Sequence, residues 1–228
     1  MPNRLWMTRT LPHAHESAAS FAHTGLAVGI APLLKLSPPS DMPKIPPKKA
    51  ALIFTSSNGL DWFCKFTSRR DWTVVTVGDA TAKRAKANGC TSVFSASGSS
   101  KDVTALIKSK FPVTQTIIHC AGRQVRGSII EDLTQAGYSA RRDIFYETHP
   151  VTKMPNIDLQ KLTYIALYSP QAAKTLAGFK PDLSGITMLS ISQATDEALG
   201  NIKCQSRLIA KSPNETAMLT LLAPILTV

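Results

Sequence analysis

The 228-residue sequence is poor in aromatic side chains, at 7%, and in charged ones, at 18%, while 43% of it is hydrophobic. Its apolar content is therefore mainly Ala, Leu, Ile and Val, the material of buried strands packed on helices, which favours an α/β protein over an all-β one. Apolar content this high excludes a disordered chain, and the length admits one large domain or two modest ones. The four cysteines, Cys64, Cys90, Cys120 and Cys204, form no C-x-x-C pair and have no regular spacing. Neither a zinc site nor a disulfide framework is signalled, and reduced, mostly buried thiols are expected. The N-terminal residues show no basic stretch leading into a long apolar core and cleavage site. The most apolar early run, residues 26–36, is too short to cross a membrane. The expectation is a soluble, cytoplasmic protein with no membrane partner.

The common catalytic signatures are missing as well. His13 and His15 are two apart and fall on different helix faces, and His23, His119 and His149 have no ligand spacing. Gly122-Arg123-Gln124-Val125-Arg126-Gly127 has neither the G-x-G-x-x-G spacing nor a Walker Gly-Lys-Ser/Thr, so a turn and helix start with Arg123 facing a carboxylate fits better than a nucleotide loop. There is no Gly-x-Ser-x-Gly elbow and no pair of acids that stands out. Neither a metal nor a cofactor is expected. Acidic residues are also scarce: 26 Lys and Arg face 15 Asp and Glu, a formal +11. Such a balance suits a polyanionic partner. The basic clusters, Lys48-Lys49, Arg69-Arg70, Lys83-Arg84-Lys86 and Arg141-Arg142, are short and scattered with no nucleic-acid-binding motif around them, so nucleic acid is not the expected partner.

What the sequence does contain is a repeat. Leu52-Ile53-Phe54-Thr55-Ser56 lines up with Ile165-Ala166-Leu167-Tyr168-Ser169 at an offset of 113. Val77-Gly78-Asp79-Ala80-Thr81 matches Ile191-Ser192-Gln193-Ala194-Thr195 at 114, and Ser99-Ser100-Lys101-Asp102 matches Ser212-Pro213-Asn214-Glu215 at 113. More weakly, Leu5-Trp6-Met7-Thr8-Arg9 corresponds to His119-Cys120-Ala121-Gly122-Arg123, each followed by a helical stretch, a glycine (Gly25, Gly137) and another strand. Each copy has five strand candidates: residues 4–8, 27–34, 51–55, 73–77 and 92–95, then 115–120, 139–146, 163–168, 186–191 and 206–210. Short apolar runs alternating with helical stretches predict βαβ units and parallel sheets. Ser57-Asn58, Asp79, Ser100, Ser169-Pro170, Ser192 and Pro213-Asn214 supply cap or first-turn residues directly after strands. The predicted fold is α/β, two similar doubly wound, flavodoxin-like parallel-sheet domains.

The break between repeats, near Pro112, offers only a tight turn, whereas proline-rich stretches lie at residues 37–49 and 149–157. Extended segments of this kind do not join central strands and suit interdomain crossings. The sequence therefore predicts a discontinuous domain, residues 1–36 with 158–228, and an inserted domain, residues 50–148, joined by two crossings. Ligands of such folds sit at the carboxyl edge of the strands, where helix N-termini present unpaired N–H groups to anions. The candidates there are Thr8-Arg9, Thr55 with Ser56, Ser57 and Asn58, residues 78–81 including Thr81, Gly122-Arg123, Ser169-Pro170 and Ala194-Thr195. For each alone, ordinary helix capping is the competing explanation. Tyr146, in Asp143-Ile144-Phe145-Tyr146-Glu147-Thr148, is expected at a strand end, where its phenol would be placed to donate a proton.

Thr8-Arg9, Pro32-Leu33-Leu34, Leu52 through Gly59, Val77 through Ala82, Gly122-Arg123, Tyr146-Glu147-Thr148 and Tyr168-Ser169-Pro170 together resemble, in identity and order, the uroporphyrinogen-III synthase family. The second copy departs from the family pattern, with Ser192-Gln193-Ala194-Thr195 where a Gly-Pro-Thr-like turn is common. The opening turn, Thr8-Arg9-Thr10, meets its proline late, at Pro12. The resemblance implies closure of the octacarboxylate hydroxymethylbilane to uroporphyrinogen III, with loss of water and inversion of the last pyrrole ring and without a cofactor; a monomer is the default expectation. It implies an azafulvene cation and a spirocyclic intermediate, Tyr146 as the acid assisting loss of the hydroxyl, and Ser56, Thr81, Ser169 and Thr195 as binding groups. A non-catalytic, hinge-linked receptor for an anionic small molecule would use the same domains and stays open at this point.

Overall fold

The computed structural model describes residues 4–125 and 127–222. The first half of the chain forms β1 (Arg4–Met7), α1 (His13–Ala22), β2 (Ala27–Ile30), β3 (Leu34–Ser37), β4 (Ala51–Phe54), α2 (Ser57–Phe66), β5 (Thr73–Thr76), α3 (Asp79–Ala87), β6 (Ser92–Ser95) and α4 (Ser100–Lys110). The second half forms β7 (Ile117–Gly122), α5 (Ile129–Gln135), β8 (Ala140–Pro150), β9 (Tyr164–Leu167), α6 (Pro170–Gly178), β10 (Leu183–Ser190), α7 (Gln193–Glu197), β11 (Cys204–Ile209) and α8 (Glu215–Thr220). Two compact units partition the chain, Met1–Lys35 with His149–Val228, and Leu36–Thr148. No helix among the described residues is long and apolar enough to cross a membrane.

The first unit holds a five-stranded sheet in the order β11-β10-β9-β1-β2, parallel throughout. The second sheet has the order β3-β8-β7-β4-β5-β6 and is parallel from β8 to β6. Numbered by repeat, the first copy supplies β1, β2, β4, β5 and β6, and the second supplies β7 to β11. Each sheet thus takes strands one and two from one copy and strands three to five from the other. Both have the spatial order 2-1-3-4-5 of a flavodoxin-like sheet, with β3 added at the edge of the second. The order reverses between β1 and β9 in one sheet and between β7 and β4 in the other, and at such points a crevice opens beyond the strand ends.

Strand residues alternate between the two faces of a sheet, so a strand covered on both sides reads as an unbroken apolar run. In β4, Leu52 and Phe54 pack with Phe63, Trp72 and Phe145, while Ala51 and Ile53 pack with Val103, Ile107 and Leu133 on the other face. In the five-stranded sheet, Trp6 joins Ile165, Leu167 and Met188 on one face, and Leu5 and Met7 join Phe21, Ala166 and Met218 on the other. Each fully buried Leu, Ile or Phe among these contributes about 1.5–3 kcal/mol relative to exposure. The glycines that close the first helical stretch of each copy, Gly25 and Gly137, both have left-handed backbone at φ 83° and 88°. That conformation carries little cost only without a Cβ.

Three expectations need correction. The strand expected over residues 27–34 is two strands, because β2 ends at Ile30 and the chain re-enters as β3 in the other sheet. Each crossing begins within a strand: Ser37 is the last residue of β3, and β8 runs on through His149 to Pro150. Proline is tolerated there because Pro38 follows an edge strand and Pro150 is the last residue of β8, beyond the end of β7 pairing at Gly122–Tyr146. Finally, no helix starts at Arg123. Gly122 ends β7 and α5 begins at Ile129, with Arg126 outside the described residues.

Candidate active site

In the six-stranded sheet the switch point is built around Tyr146. Between Ala121–Ile144 and Gly122–Tyr146 the β7–β8 register gains one residue, Phe145, and this bulge leaves both Phe145 and Tyr146 buried. Bulges re-aim side chains in this way. The Tyr146 ring lies across Gly122, where an added Cβ would meet Cζ at 2.7 Å, Cε2 at 2.8 Å and the hydroxyl at 3.1 Å. A glycine is therefore required for the ring to cross β7. On the far side the phenol lies near the Ser56 hydroxyl, which accepts from Gly59 N at 3.2 Å as the cap of α2. Burial pushes the Tyr146 phenol up from 10, and the Ser56 hydroxyl partly opposes the shift. The phenol is thus neutral near pH 7 and lies close to the N-terminal end of α2.

Around it, Ser57 Oγ and Thr81 Oγ1, in the first turns of α2 and α3, are 3.4 Å apart. Asn58 follows Ser57 in the first turn of α2. The Arg123 amide donates to the Tyr146 carbonyl at 3.0 Å. The Arg123 side chain, half exposed, reaches Glu147 Oε1 through Nε at 2.9 Å and Nη2 at 2.6 Å, and Ser40 Oγ at 3.2 Å. The carboxylate it faces belongs to its own chain. Thr55 Oγ1 is 3.1 Å from His119 Nε2, and burial with the nearby Arg142 charge lowers that histidine to about 4, so it is neutral near pH 7.

The switch point of the five-stranded sheet is built differently. Thr8 is buried, with its hydroxyl donating to Ala166 O at 2.6 Å across to β9. Arg9 Nη1 donates to Ser17 Oγ at 2.8 Å and Glu215 Oε2 at 3.2 Å, and its guanidinium carbon lies 4.8 Å from the Tyr168 ring centroid. Tyr168 gives its hydroxyl to Glu215 Oε1 at 3.0 Å, and burial beside that carboxylate pushes its phenol up. Ser169 caps α6, accepting from Ala172 N at 3.2 Å. Thr195 is fully buried, its amide donating to Ser192 Oγ at 3.3 Å and its hydroxyl 3.0 Å from that same oxygen.

Tyr146, Gly122, Arg123, Ser56, Ser57, Asn58 and Thr81 thus surround one switch point, and Thr8, Arg9 and Ser169 the other, while Thr8 and Thr195 have committed their hydroxyls to backbone or cap partners. Sequence reasoning did not single out Tyr168, Glu215, Ser17, Glu147 or Ser40. Of these, Tyr168 and Glu215 carry a signal through the repeat, and Tyr168 and Glu147 stand within motifs of the family resemblance, where their neighbours Ser169 and Tyr146 drew the reading. Among the described residues no group of three or more His, Cys, Asp or Glu is placed to hold a metal ion.

A sequence model of the family described as HEM4, Uroporphyrinogen-III synthase HemD, matches residues 15–220. No curated protein matches the sequence. Among solved structures, uroporphyrinogen-III synthetase from Helicobacter pylori is similar over 99% of this chain and 100% of its own, at TM-score 0.67 and 17% identity. A mutant uroporphyrinogen III synthase from the extremely thermophilic bacterium Thermus thermophilus is similar over 99% of each chain, at TM-score 0.53 and 13% identity. At such identities these likenesses concern the fold.

Proposed function

The chain belongs to the uroporphyrinogen-III synthase family, and on that premise we propose that Tyr146 is the acid that starts closure of hydroxymethylbilane to uroporphyrinogen III. The phenol donates its proton to the terminal hydroxyl of the bilane, the C–O bond breaks, and water leaves. The pyrrole nitrogen lone pair stabilises the azafulvene cation that remains. A weak acid is enough because the pyrrole supplies most of the driving electron density, and a buried phenol stays protonated until it is used. The cation is then attacked at the substituted carbon of the last pyrrole, the spirocyclic intermediate rearranges with inversion of that ring, and the proton released from the pyrrole α-carbon at closure balances the one Tyr146 gave. Since the free substrate also closes without inversion, the protein's larger task is to hold the chain in the geometry that leads to attack at that carbon.

Arg9, Arg123 and the amides and hydroxyls of Ser56, Ser57, Asn58, Thr81 and Ser169 are the groups proposed to meet the substrate's carboxylates and pyrroles. Gly122 holds the acid in place. The formal +11 supports a polyanionic ligand. We further propose that the protein works as a monomer in the cytoplasm.

The observation that carries this reading is the seating of Tyr146, with a bulge to aim it, a glycine beneath its ring and a helix cap at its hydroxyl. Incubating the protein with freshly prepared hydroxymethylbilane and separating type I from type III product tests it. Type III product is expected from the wild type, and type I alone would reject the activity. Tyr146→Phe should lower kcat by about 100-fold, the low end of general-acid assistance, while remaining folded. An undiminished kcat in that variant would remove Tyr146 from the mechanism.

A further inference from the structure

Arg9 and Arg123 occupy the same position in the two copies, directly after β1 and β7, and each is held by a glutamate of its own unit. Arg9 shares Glu215 with Ser17 and Tyr168: Ser17 Oγ donates to Oε2 at 3.0 Å and the Tyr168 hydroxyl to Oε1 at 3.0 Å. Arg123 directs two of its nitrogens at Glu147 Oε1. The glutamates are not repeat equivalents, since Glu215 opens α8 and Glu147 lies in β8. The same pairing has been reached from two unrelated elements. Both arginine side chains stay accessible, 31% exposed for Arg9 and 49% for Arg123, so either can change partner; Glu147, at 17% exposure, also accepts from the Ser40 amide at 3.4 Å. Partly exposed pairs of this kind hold weakly.

We propose that Glu215 and Glu147 are affinity-determining residues: internal carboxylates that each occupy an arginine of their own unit until a substrate carboxylate displaces them. The inference rests on the reading of Arg9 and Arg123 as substrate-binding groups. A lone carboxylate gains little, because it replaces one ion pair with an equal one.

The test is steady-state kinetics with hydroxymethylbilane on Glu215→Gln and Glu147→Gln, separately and in Arg9→Met and Arg123→Met backgrounds respectively. Each single variant is expected to lower KM by about two- to five-fold, with kcat changing less than KM. The gain should vanish when the matching arginine is absent, which a merely structural role for the glutamate would not produce. Unchanged or raised KM in the folded variants overturns the proposal, a raised value making the glutamates positioning groups for the arginines. If Glu215→Gln does not fold, Glu147→Gln decides the matter alone. Failure of the synthase reading would look different, as an absence of type III product from the wild type.

Discussion

Alanine at position 122 would set its methyl 2.7 Å from Tyr146 Cζ, a distance that forces the ring or β7 to move. Gly122→Ala is expected to destabilise the protein by about 1–3 kcal/mol, as overpacking does, and to lower type III turnover because the phenol leaves the Ser56 hydroxyl. Urea unfolding and product analysis on the same preparation check both parts. Wild-type kinetics in a destabilised but folded variant would show that the ring's seat is not part of catalysis. His119 carries a pH prediction of definite sign. Burial and the Arg142 charge depress it from its ordinary 6.5 to about 4 in the folded state, so the unfolded chain binds the extra proton between those values. Stability is complete above pH 6.5 and falls as pH drops toward 4, by up to about 3 kcal/mol. His119→Gln, which keeps a polar atom toward Thr55, should flatten that limb in denaturant titrations at about pH 4.5 and 7; an unchanged slope would assign the acid sensitivity to other groups. At this scale the sequence was partly legible. Tyr146 and Gly122-Arg123 were visible as motif members, but that Gly122 underlies the Tyr146 ring was not, because the contact needs β7 and β8 side by side and a bulge at Phe145. His119 was set aside for lack of ligand spacing, since burial leaves no mark in the spacing of residues.

Helix starts were the most legible elements, because a strand, a turn and a capping hydroxyl are local neighbours in sequence. Ser56, Ser169, Ser192 and Asn214 each accept a hydrogen bond from the amide three residues on. Ser56 and Ser169 occupy the same place in the two copies, and their alanine variants should each cost about 1 kcal/mol of stability. Their kinetic effects should differ. Ser56 also contacts Tyr146, so Ser56→Ala is expected to lower kcat, whereas Ser169→Ala should act on KM with kcat retained. Equal effects of the two variants would indicate that capping alone accounts for Ser56. Strand limits were less legible, since a strand ends where its neighbour does. Residues 27–34 look like one apolar run, and only the presence of two sheets divides them at Ala31. β8 outruns its expected limit of 146 because β3 pairs beside it, a partner whose residues 34–36 the sequence assigns to the other domain.

The 113–114 offset made the duplication visible, but by itself it predicts two tandem domains divided near Pro112. The sheets instead exchange strands between copies: β1 and β2 pair onward to β9, and β7 lies between β8 and β4. Only the proline-rich stretches hinted that repeat and domain boundaries differ. The exchange has a consequence for the whole molecule. A fragment of residues 1–112 holds β1 without β9 and β4 without β7, leaving two open strand edges and both sheets lacking part of their buried faces. β4 is a poor substitute for β9. Its Leu52 and Phe54 pack into an aromatic cluster of Phe63, Trp72 and Phe145, while Trp6 packs with Ile165, Leu167 and Met188. Fragments 1–112 and 113–228 are therefore each expected to show no cooperative unfolding by circular dichroism when made alone. Refolded together, they should recover a cooperative transition and type III product, since every strand pair is then available and the cut falls in an exposed turn. Cooperative unfolding of either half by itself would mean that one copy closes a sheet from its own five strands, and that the exchange is a matter of connectivity rather than of packing.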